Sequence, residues 1–309
     1  MAITMIRTNG YKYFVTTLLV GIALFPTLSI AQGQSLTLMT WNLEWLTTTP
    51  SAKFKASYRS EDDFHALNLH FKSVNPDILA FQEVDSVQAI KRVVGKGYRI
   101  YLSERSAAHN RQHQFSDINQ YTGFAIKETI KVTDSPDFPL LQTNKLRFAS
   151  AVTLEFASNQ QVHLLSVHLK AGCSGKLTRH SACKQLKQQG QVINSWLQQR
   201  DVNNESYLIL GDFNHNLSYR EDWLWTLMTQ GLTTTPRLAS ESTKARCKVR
   251  SKRNPNSTHQ YRSLIDHIVV SPSLRSSPAK QNVMPTSKVI KYQMSDHCPL
   301  SITLYGSDH

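Results

Sequence analysis

The chain has 309 residues, 35 Lys and Arg against 22 Asp and Glu, a formal net charge of +13 and 40% hydrophobic residues. A chain of this length and apolar content can bury a substantial core, and one large domain is the simplest organisation. The positive charge favours a polyanionic partner, such as nucleic acid, anionic lipid headgroups or phosphorylated sugars, although solubility alone also explains it. No stretch after Ala31 is long or apolar enough to cross a membrane, which excludes a multi-span membrane protein.

The N-terminus has the pattern of an export signal. Arg7 and Lys12 precede an apolar run, and small residues then lead to a cleavage site after Ala31. We predict a signal peptide over 1–31 and a mature catalytic domain over 32–309, in a secreted or periplasmic protein. The alternative is an uncleaved membrane anchor, which is disfavoured because the run is short for a span of about 20 residues.

Short apolar segments rich in β-branched and aromatic residues recur along the chain, as in half-buried strands. They predict strands at 36–41, 77–81, 98–102, 123–126, 148–156, 162–168, 207–210, 264–270 and 300–305. Helical patterns occur at 61–74, after the candidate N-cap Ser60, and at 181–199 and 219–230. Strands with helices inserted singly indicate an α/β or α+β fold of packed sheets with helices outside. The polar stretch 103–120 predicts a long surface loop.

The four cysteines, in an exported protein, are expected to meet an oxidising compartment. Cys173 and Cys183 are expected to pair, because the bond would close a short loop. Cys247 and Cys298 either form a second bond or leave Cys298 as a small buried residue. A zinc site built from Cys173, His180 and Cys183 is the less favoured alternative, because it lacks a clear fourth ligand.

Two stretches, 242–265 and 156–200, contain many cations and no acidic residue. Such runs are usually solvated faces, but each of these lies next to a candidate catalytic motif. The cations are Lys244, Arg246, Lys248, Arg250, Lys252, Arg253 and Arg262 in the first stretch, and Lys170, Lys176, Arg179, Lys184, Lys187 and Arg200 in the second.

Five short motifs place polar side chains at the ends of predicted strands. They read WNLEW at 41–45, FQEV at 81–84, SVHLK at 166–170, GDFNH at 211–215 and SDHCP at 295–299, with IDH at 265–267 upstream of the last. Carboxylate and amide oxygens suit a hard cation such as magnesium, manganese or calcium. The motifs supply such oxygens from Asn42, Glu83, Asp212, Asn214 and Asp296. His168 and His297 add imidazoles that exchange protons near neutral pH, so the set can activate a water and neutralise a phosphate.

With these motifs in this order, the chain resembles the endonuclease/exonuclease/phosphatase superfamily, in particular a secreted bacterial-type member. The superfamily's best-known fold is that of deoxyribonuclease I, and the resemblance runs from about Leu36 to Tyr305. It implies an α/β four-layer sandwich of two packed mixed β-sheets flanked by helices. It also implies a divalent metal cofactor, Mg²⁺ or Mn²⁺, with Ca²⁺ as a third candidate.

The resemblance implies roles for ten residues. His168, Asp212, Asp266 and His297 would be catalytic, Asn42, Glu83 and Asp296 would hold the metal, and Tyr121, Arg147 and Asn214 would contact the substrate phosphate. Asp212 would orient or deprotonate the attacking water, and Asp266 would fix the tautomer of His297. The acid and base assignments of the two histidines stay open. No acid near Tyr121 matches the glutamate that pairs with the histidine of deoxyribonuclease I, and the 173–183 loop is expected to shape a cleft wall beside His168.

The favoured function is therefore a metal-dependent phosphodiesterase, most simply a monomeric secreted nuclease with DNA or RNA as substrate, little sequence specificity and no stable membrane insertion. The first alternative is a phosphatase or a sphingomyelinase-like lipid phosphodiesterase, which the same kind of site serves. The second alternative is a non-catalytic binding module of the same fold.

Overall fold

The computed structural model describes residues 35–141, 145–156 and 160–306. The predicted signal peptide over 1–31 lies outside these ranges. Within them, no helix has both the length and the apolar character needed to cross a membrane.

The first sheet is mixed and has seven strands. They are β1 (Leu36–Leu46), β2 (Ile78–Val84), β3 (Tyr98–Leu102), β4 (Tyr121–Lys127), β13 (Arg275–Ser276), β14 (Lys280–Gln281) and β15 (Leu300–Tyr305). Their order is β13-β15-β1-β2-β4-β3, and β14 also pairs with β15. Strands β1 and β2 are parallel, whereas β15 and β4 run antiparallel to their neighbours, so polar ends of β1 and β2 lie at the same edge.

The second sheet has six strands, and a separate hairpin stands apart from both sheets. The six are β5 (Val132–Pro139), β6 (Phe148–Glu155), β7 (Gln161–His168), β8 (Ser206–Asp212), β9 (Arg237–Leu238) and β12 (Asp266–Val270), in the order β5-β6-β7-β8-β12-β9. Strands β7 and β8 are parallel and the other pairs antiparallel. The hairpin pairs β10 (Lys248–Arg250) with β11 (Thr258–Gln260).

The helices cover the outer faces of the two sheets and complete four layers. They are α1 (Glu61–Val74), α2 (Val87–Val94), α3 (Ser181–Val202), α4 (Trp223–Thr229) and α5 (Thr286–Lys291). Leu38, Phe124 and Leu164 belong to the apolar layer between the sheets. Phe64 of α1 packs in the layer outside the first sheet, and Ile193 of α3 packs in the layer outside the second. The predicted four-layer sandwich is confirmed.

Helix boundaries follow local capping chemistry. The Ser60 hydroxyl accepts from the Asp63 amide and the Asp63 carboxylate accepts from the Ser60 amide, at 3.2 and 2.8 Å, so α1 begins where the sequence predicts. Helix α4 is shorter than the predicted 219–230 because the Asp222 carboxylate caps the amides of Leu224 and Trp225.

The stretch 103–120 is not the simple exposed loop that its polarity predicts. It contains short 3₁₀ helices at Glu104–Ser106 and Ala108–His113. The Arg105 side chain is buried, and its guanidinium donates to the carbonyls of His113, Gln120 and Lys145. A buried guanidinium is tolerated where its donors are paired, so this segment is an ordered part of the fold.

A buried histidine fixes the loop after β8. His215 is fully buried, with Nε2 2.6 Å from Asp222 Oδ2 and Nδ1 2.8 Å from the Cys173 carbonyl oxygen. Burial alone would lower the pKa of His215, but the Asp222 hydrogen bond and charge and the Cys173 carbonyl outweigh it and raise the pKa. The protonated imidazole therefore joins α4 to the segment that contains Cys173.

This ion pair predicts a pH-dependent contribution to stability. Because the folded-state pKa of His215 is raised, the contribution is complete below the ordinary histidine pKa and is lost as the pH rises through the folded-state value. We expect His215→Gln to reduce the free energy of unfolding most at acidic pH, with the difference narrowing as the pH rises. Denaturant titrations across pH measure it, with the exposed His65→Gln as control. A difference that is constant with pH would contradict the ion pair.

Candidate active site

Strand register brings three of the predicted catalytic residues to one edge of the second sheet. His168 is opposite Asp212 in the parallel pair β7–β8, and Asp266 is opposite Asp212 in the antiparallel pair β8–β12. Gly211, with φ 157°, precedes Asp212, and a Cβ there would lie 2.0 Å from the Val167 carbonyl oxygen. Only glycine permits this close approach of β7 to β8.

Asp212 is a buried carboxylate that accepts from both sheets. Its Oδ2 accepts from Asn42 Nδ2 of the first sheet at 3.0 Å, and its Oδ1 accepts from the Asn214 amide at 2.7 Å. Its Oδ2 also lies 3.4 Å from His168 Nε2 and 3.8 Å from His297 Nε2. Burial raises the pKa of Asp212 to about 7, against the opposing charge of His297.

His297 is oriented by Asp266, as the sequence predicts. Its Nδ1 lies 2.8 Å from Asp266 Oδ2, which leaves Nε2 facing Asp212. Burial would lower the pKa of His297, but the charges of Asp266 and Asp212 outweigh it and raise the pKa well above its ordinary value. The ring is therefore a cation and a hydrogen-bond donor in this arrangement.

The first strand holds the His297 segment in place. Trp41 Nε1 donates to the His297 carbonyl at 3.0 Å, and Ser295 Oγ donates to the Asn42 carbonyl at 2.6 Å. These bonds connect the start of β1's polar motif to the segment before β15, although some 250 residues separate them in sequence. The position of His297 thus depends on the first sheet as much as on Asp266.

His168 differs from His297 in its electrostatic state. Burial lowers its pKa well below the ordinary value, and the positive charges of Arg147 and His297 lower it further. Its Nε2 lies 3.6 Å from Glu83 Oε1, while its buried Nδ1 has no hydrogen-bond partner among the described residues. The pKa values of the two rings are thus shifted in opposite directions, which favours a neutral His168 and a charged His297.

Three carboxylates line the cleft on the side of the first sheet. Glu83 Oε2 accepts from the Trp45 amide at 3.1 Å, and Glu44 Oε2 accepts from the Asp296 amide at 3.1 Å. Burial raises the pKa of Glu44 to about 8, and the charge of Asp296 raises it in the same direction. The predictions include Glu83 and Asp296 but not Glu44, although Glu44 is the one acid in WNLEW.

The strand ends that present these carboxylates have an unusual backbone. Glu44, Trp45 and Glu83 have φ of 46°, 52° and 59°, in the left-handed region that non-glycine residues rarely adopt. Such a residue costs about 1 kcal/mol or more unless its surroundings hold it. Arg59 supplies this support, because its Nη2 donates to the carbonyls of Leu43, Glu44 and Met294 at 3.0, 2.8 and 3.1 Å.

Asn42, a predicted metal ligand, contacts two carboxylates. Its Oδ1 accepts from the Glu44 amide at 3.0 Å, and its Nδ2 donates to Glu83 Oε1 at 3.2 Å and to Asp212 Oδ2. The amide therefore orients both carboxylates, and its contact with a metal stays a prediction. Asn42 therefore joins the carboxylates of the first sheet to Asp212.

The three predicted phosphate contacts lie in different surroundings. Arg147 and Asn214 line the cleft, and Asn214 Nδ2 is held by the Leu169 carbonyl at 3.1 Å. Arg147 Nη2 donates to the same carbonyl at 3.2 Å, while its buried Nε has no partner among the described residues. Tyr121 is buried beneath the guanidinium of Arg105 and is not among the residues that line the cleft, so its contact with phosphate stays a prediction.

Comparison with protein families decides the assignment. The endonuclease/exonuclease/phosphatase family model matches residues 39–309. The chain belongs to this family. Family members are typically metal-dependent hydrolases of phosphodiester or phosphate bonds. A search of curated proteins found no match.

Solved structures agree on the endonuclease/exonuclease/phosphatase fold. TDP2 from Caenorhabditis elegans is 17% identical, with TM-score 0.60 and coverage of 88% of this chain and 75% of that one. A family protein from Bacteroides thetaiotaomicron is 16% identical, with TM-score 0.60 and coverage of 90% and 100%. The human Nocturnin catalytic domain with bound sulfate is 19% identical, with TM-score 0.58 and coverage of 88% and 95%. At these identities the likeness shows the fold alone.

Two groups of side chains at the family site have the composition to hold a metal. The ligand atoms of Asp212, Asp266 and His297 all lie within 4.8 Å of one another. In that group Nδ1 of His297 is bonded to Asp266, which leaves Nε2 as its remaining ligand atom. The Glu44, Glu83 and Asp296 carboxylates suit a hard cation better, because all of their ligand atoms are oxygens. Burial, and then the charge of Asp296, raise the pKa of Glu44, and a divalent ion beside it would oppose that shift.

Both pairs of cysteines form disulfides. The Cys173–Cys183 bond is the predicted one, with Cα atoms 5.0 Å apart, and Cys247–Cys298 has Cα atoms 5.6 Å apart. The zinc alternative and a free Cys298 are therefore wrong, because all four sulfurs are bonded to each other in pairs. The expected cleft wall at 173–183 is also wrong, since among described residues the lining includes Ala171 but nothing from that loop.

The carboxylate assignment predicts a loss of metal affinity in Glu44→Gln. Removing one of three anionic groups weakens their attraction for a divalent ion, and we expect about tenfold weaker Mn²⁺ binding. Titration calorimetry of the purified protein measures it without relying on activity. The exposed Glu128→Gln is the control, and equal Mn²⁺ affinity in Glu44→Gln and wild type would contradict the assignment.

The second disulfide predicts a specific loss of activity. Cys298 directly follows His297, so losing its bond to Cys247 releases one side of the His297 segment. We expect the Cys247→Ser, Cys298→Ser protein to lose about tenfold or more in kcat, because small displacements of reacting groups lower rates strongly. The Cys173→Ser, Cys183→Ser protein should lose less. Circular dichroism checks that both fold, and equal losses in kcat would argue against local positioning.

Proposed function

We propose that the chain is a monomeric, divalent-metal-dependent phosphodiester hydrolase that acts on nucleic acid with little sequence specificity outside the cytoplasm. One observation carries the proposal. A chain of close contacts runs through Asp266, His297 and Asp212 beside the three carboxylates, at a cleft of about 900 Å³. This arrangement combines water activation with charge neutralisation at one point.

The roles follow from the contacts. Glu44, Glu83 and Asp296 would hold the ion, which would neutralise charge on a phosphoryl oxygen when bound. Asp212, held by Asn42, orients the attacking water and accepts its proton. Asn42 and Asn214 keep the Asp212 carboxylate in this orientation, because both donate to it.

The two histidines and Arg147 complete the set of groups around the phosphate. His297 donates from Nε2 to the phosphate, while Asp266 holds the opposite ring nitrogen. His168, which stays neutral, accepts a hydrogen bond on the other side of Asp212. Arg147 supplies a half-buried positive charge at the cleft, where it offsets the negative charge of a bound phosphate.

Charge and export support a nucleic acid substrate outside the cytoplasm. The net charge of +13 favours a polyanion, and the cleft lining includes Lys53, Lys55 and Lys252. The signal pattern over 1–31 and the two disulfides favour an oxidising compartment. Phosphate contacts carry no base information, so we expect little sequence preference.

Activity with and without metal tests the proposal. We expect wild-type protein to degrade plasmid DNA or RNA with Mg²⁺ or Mn²⁺, and EDTA to abolish this. Asp212→Asn should lower the rate about 100-fold or more, since it removes the proton acceptor, whereas the exposed Lys187→Ala on α3 should not. Gel electrophoresis and acid-soluble release measure both.

Substrate choice separates the alternatives. A mannosyl-6-phosphatase from Bacteroides thetaiotaomicron shares this fold at 16% identity and TM-score 0.57. If the protein hydrolyses hexose phosphates with a metal but leaves DNA and RNA uncleaved, the proposed function changes from nuclease to phosphatase. Release of phosphocholine from sphingomyelin vesicles would instead favour a lipid phosphodiesterase, and no hydrolysis of any of these would favour a binding module.

A further inference from the structure

The active-site cleft extends well beyond the reacting groups. Its volume of about 900 Å³ is near the upper end of small-molecule sites, which reach about 1,000 Å³. Past Glu83, His168 and Asp212, the lining continues along the loop from Trp45 to Ala56 and along the β10–β11 hairpin. A single phosphodiester group needs none of this additional surface.

One wall of the extension combines aromatic rings with lysines. Trp45 and Phe54 stack in parallel, with ring centroids 4.0 Å apart and planes 15° apart, and both side chains are half-buried. Lys53 and Lys55 beside Phe54 are exposed. Lys53 pairs with Asp117 at 3.6 Å, while Lys55 has no hydrogen bond or ion pair to the described part of the chain.

The opposite wall has the same composition on the hairpin. Tyr261, just after β11, is 42% exposed, and Lys252 at the hairpin tip is exposed and pairs with no described residue. Both line the cleft. Each wall thus contributes both an aromatic ring and an ammonium group to the cleft lining.

The base of the hairpin is firmly attached. Cys247 is bonded to Cys298, and Val249 is buried in the core outside the first sheet. The Arg250 guanidinium donates to the carbonyls of Ile290 and Tyr292, each at 2.8 Å, so its charge serves the fold. The tip is therefore presented to the cleft in a fixed position, which reduces the entropy lost on binding.

The second basic stretch does not share this position. Its part of the cleft lining comes from His168 and Ala171, and none of its described lysines or arginines takes part. Of the two basic stretches, the 242–265 stretch is the one whose described cations border the cleft. A bound polyanion would therefore extend to one side of the scissile phosphate, toward the hairpin.

We infer that the space between the Trp45–Ala56 loop and the β10–β11 hairpin binds an unpaired polynucleotide strand. Bases stack on the Trp45–Phe54 pair and on Tyr261, and phosphates lie near Lys55 and Lys252. The inference rests on the proposed function and names its substrate as single-stranded. Rings alternating with cations are the recognised means of binding single strands, because an unpaired base exposes the face that a duplex buries.

The experiment compares substrates that do and do not reach the extension. Rates are measured on a single-stranded 20-mer, its duplex and bis(p-nitrophenyl) phosphate. In Phe54→Ala and Tyr261→Ala, we expect kcat/KM for the single strand relative to the small ester to fall about fivefold or more. In Lys252→Ala the salt slope of single-strand binding should decrease by about one, and Lys184→Ala from the second stretch is the control.

The outcomes separate the inference from the proposed function. Nuclease activity with unchanged ratios in Tyr261→Ala and Lys252→Ala, or a preference for duplex, overturns the inference and leaves the nuclease. Hydrolysis of the small ester with no cleavage of either nucleic acid overturns the nuclease. In that case, fluorescence anisotropy measures binding of a labelled single-stranded 20-mer to Asp212→Asn and to the double variant Asp212→Asn, Tyr261→Ala. Weaker binding by the double variant supports the strand site, and equal binding overturns it. Binding to anionic phospholipid vesicles in place of the 20-mer overturns it.

Discussion

The buried carboxylate of Asp212 is the constraint on which the rest of the site depends. A carboxylate without water must be surrounded by donors, and here they come from separate parts of the chain. Asn42 donates to it from the first sheet and Asn214 donates from the loop after β8, while Nε2 of His297, in the segment before β15, lies 3.8 Å away. Asn42 and His297 reach Asp212 only when both sheets are packed together. The packing of the two sheets therefore both pairs the buried Asp212 carboxylate with its donors and brings the reactive groups together.

Much of the fold and part of the site follow from local patterns. Strands such as β3 and β15 begin and end where the sequence predicts, because their apolar alternation is bounded by polar residues. Helix α1 starts at its predicted cap because Ser60 and Asp63 act within one turn. The convergence of His168, Asp212 and Asp266 also follows, since residues at the ends of neighbouring strands share an edge. These features depend on short-range chemistry that a sequence displays directly.

Other features depend on contacts that a sequence does not display. Glu44 lines the cleft where Glu44 and Trp45 adopt left-handed backbone, a conformation that the residue types do not reveal. Asn42 has an amide whose type does not reveal that it donates to both Glu83 and Asp212. Arg105 lies in a polar stretch, yet distant carbonyls make its burial possible. In each case the orientation and contacts of the side chain depend on the folded backbone or on a partner group, which the residue type alone does not specify.

The division of the site between two sheets has a consequence for the apolar layer that separates them. The 3.0 Å hydrogen bond between Asn42 and Asp212 spans that boundary, and side chains such as Leu38 and Leu164 set its width. Packed interiors transmit small changes in volume rather than absorbing them. Catalysis is consequently a sensitive gauge of intersheet spacing, so the volume of core side chains that never meet substrate governs how well the two halves of the site fit together.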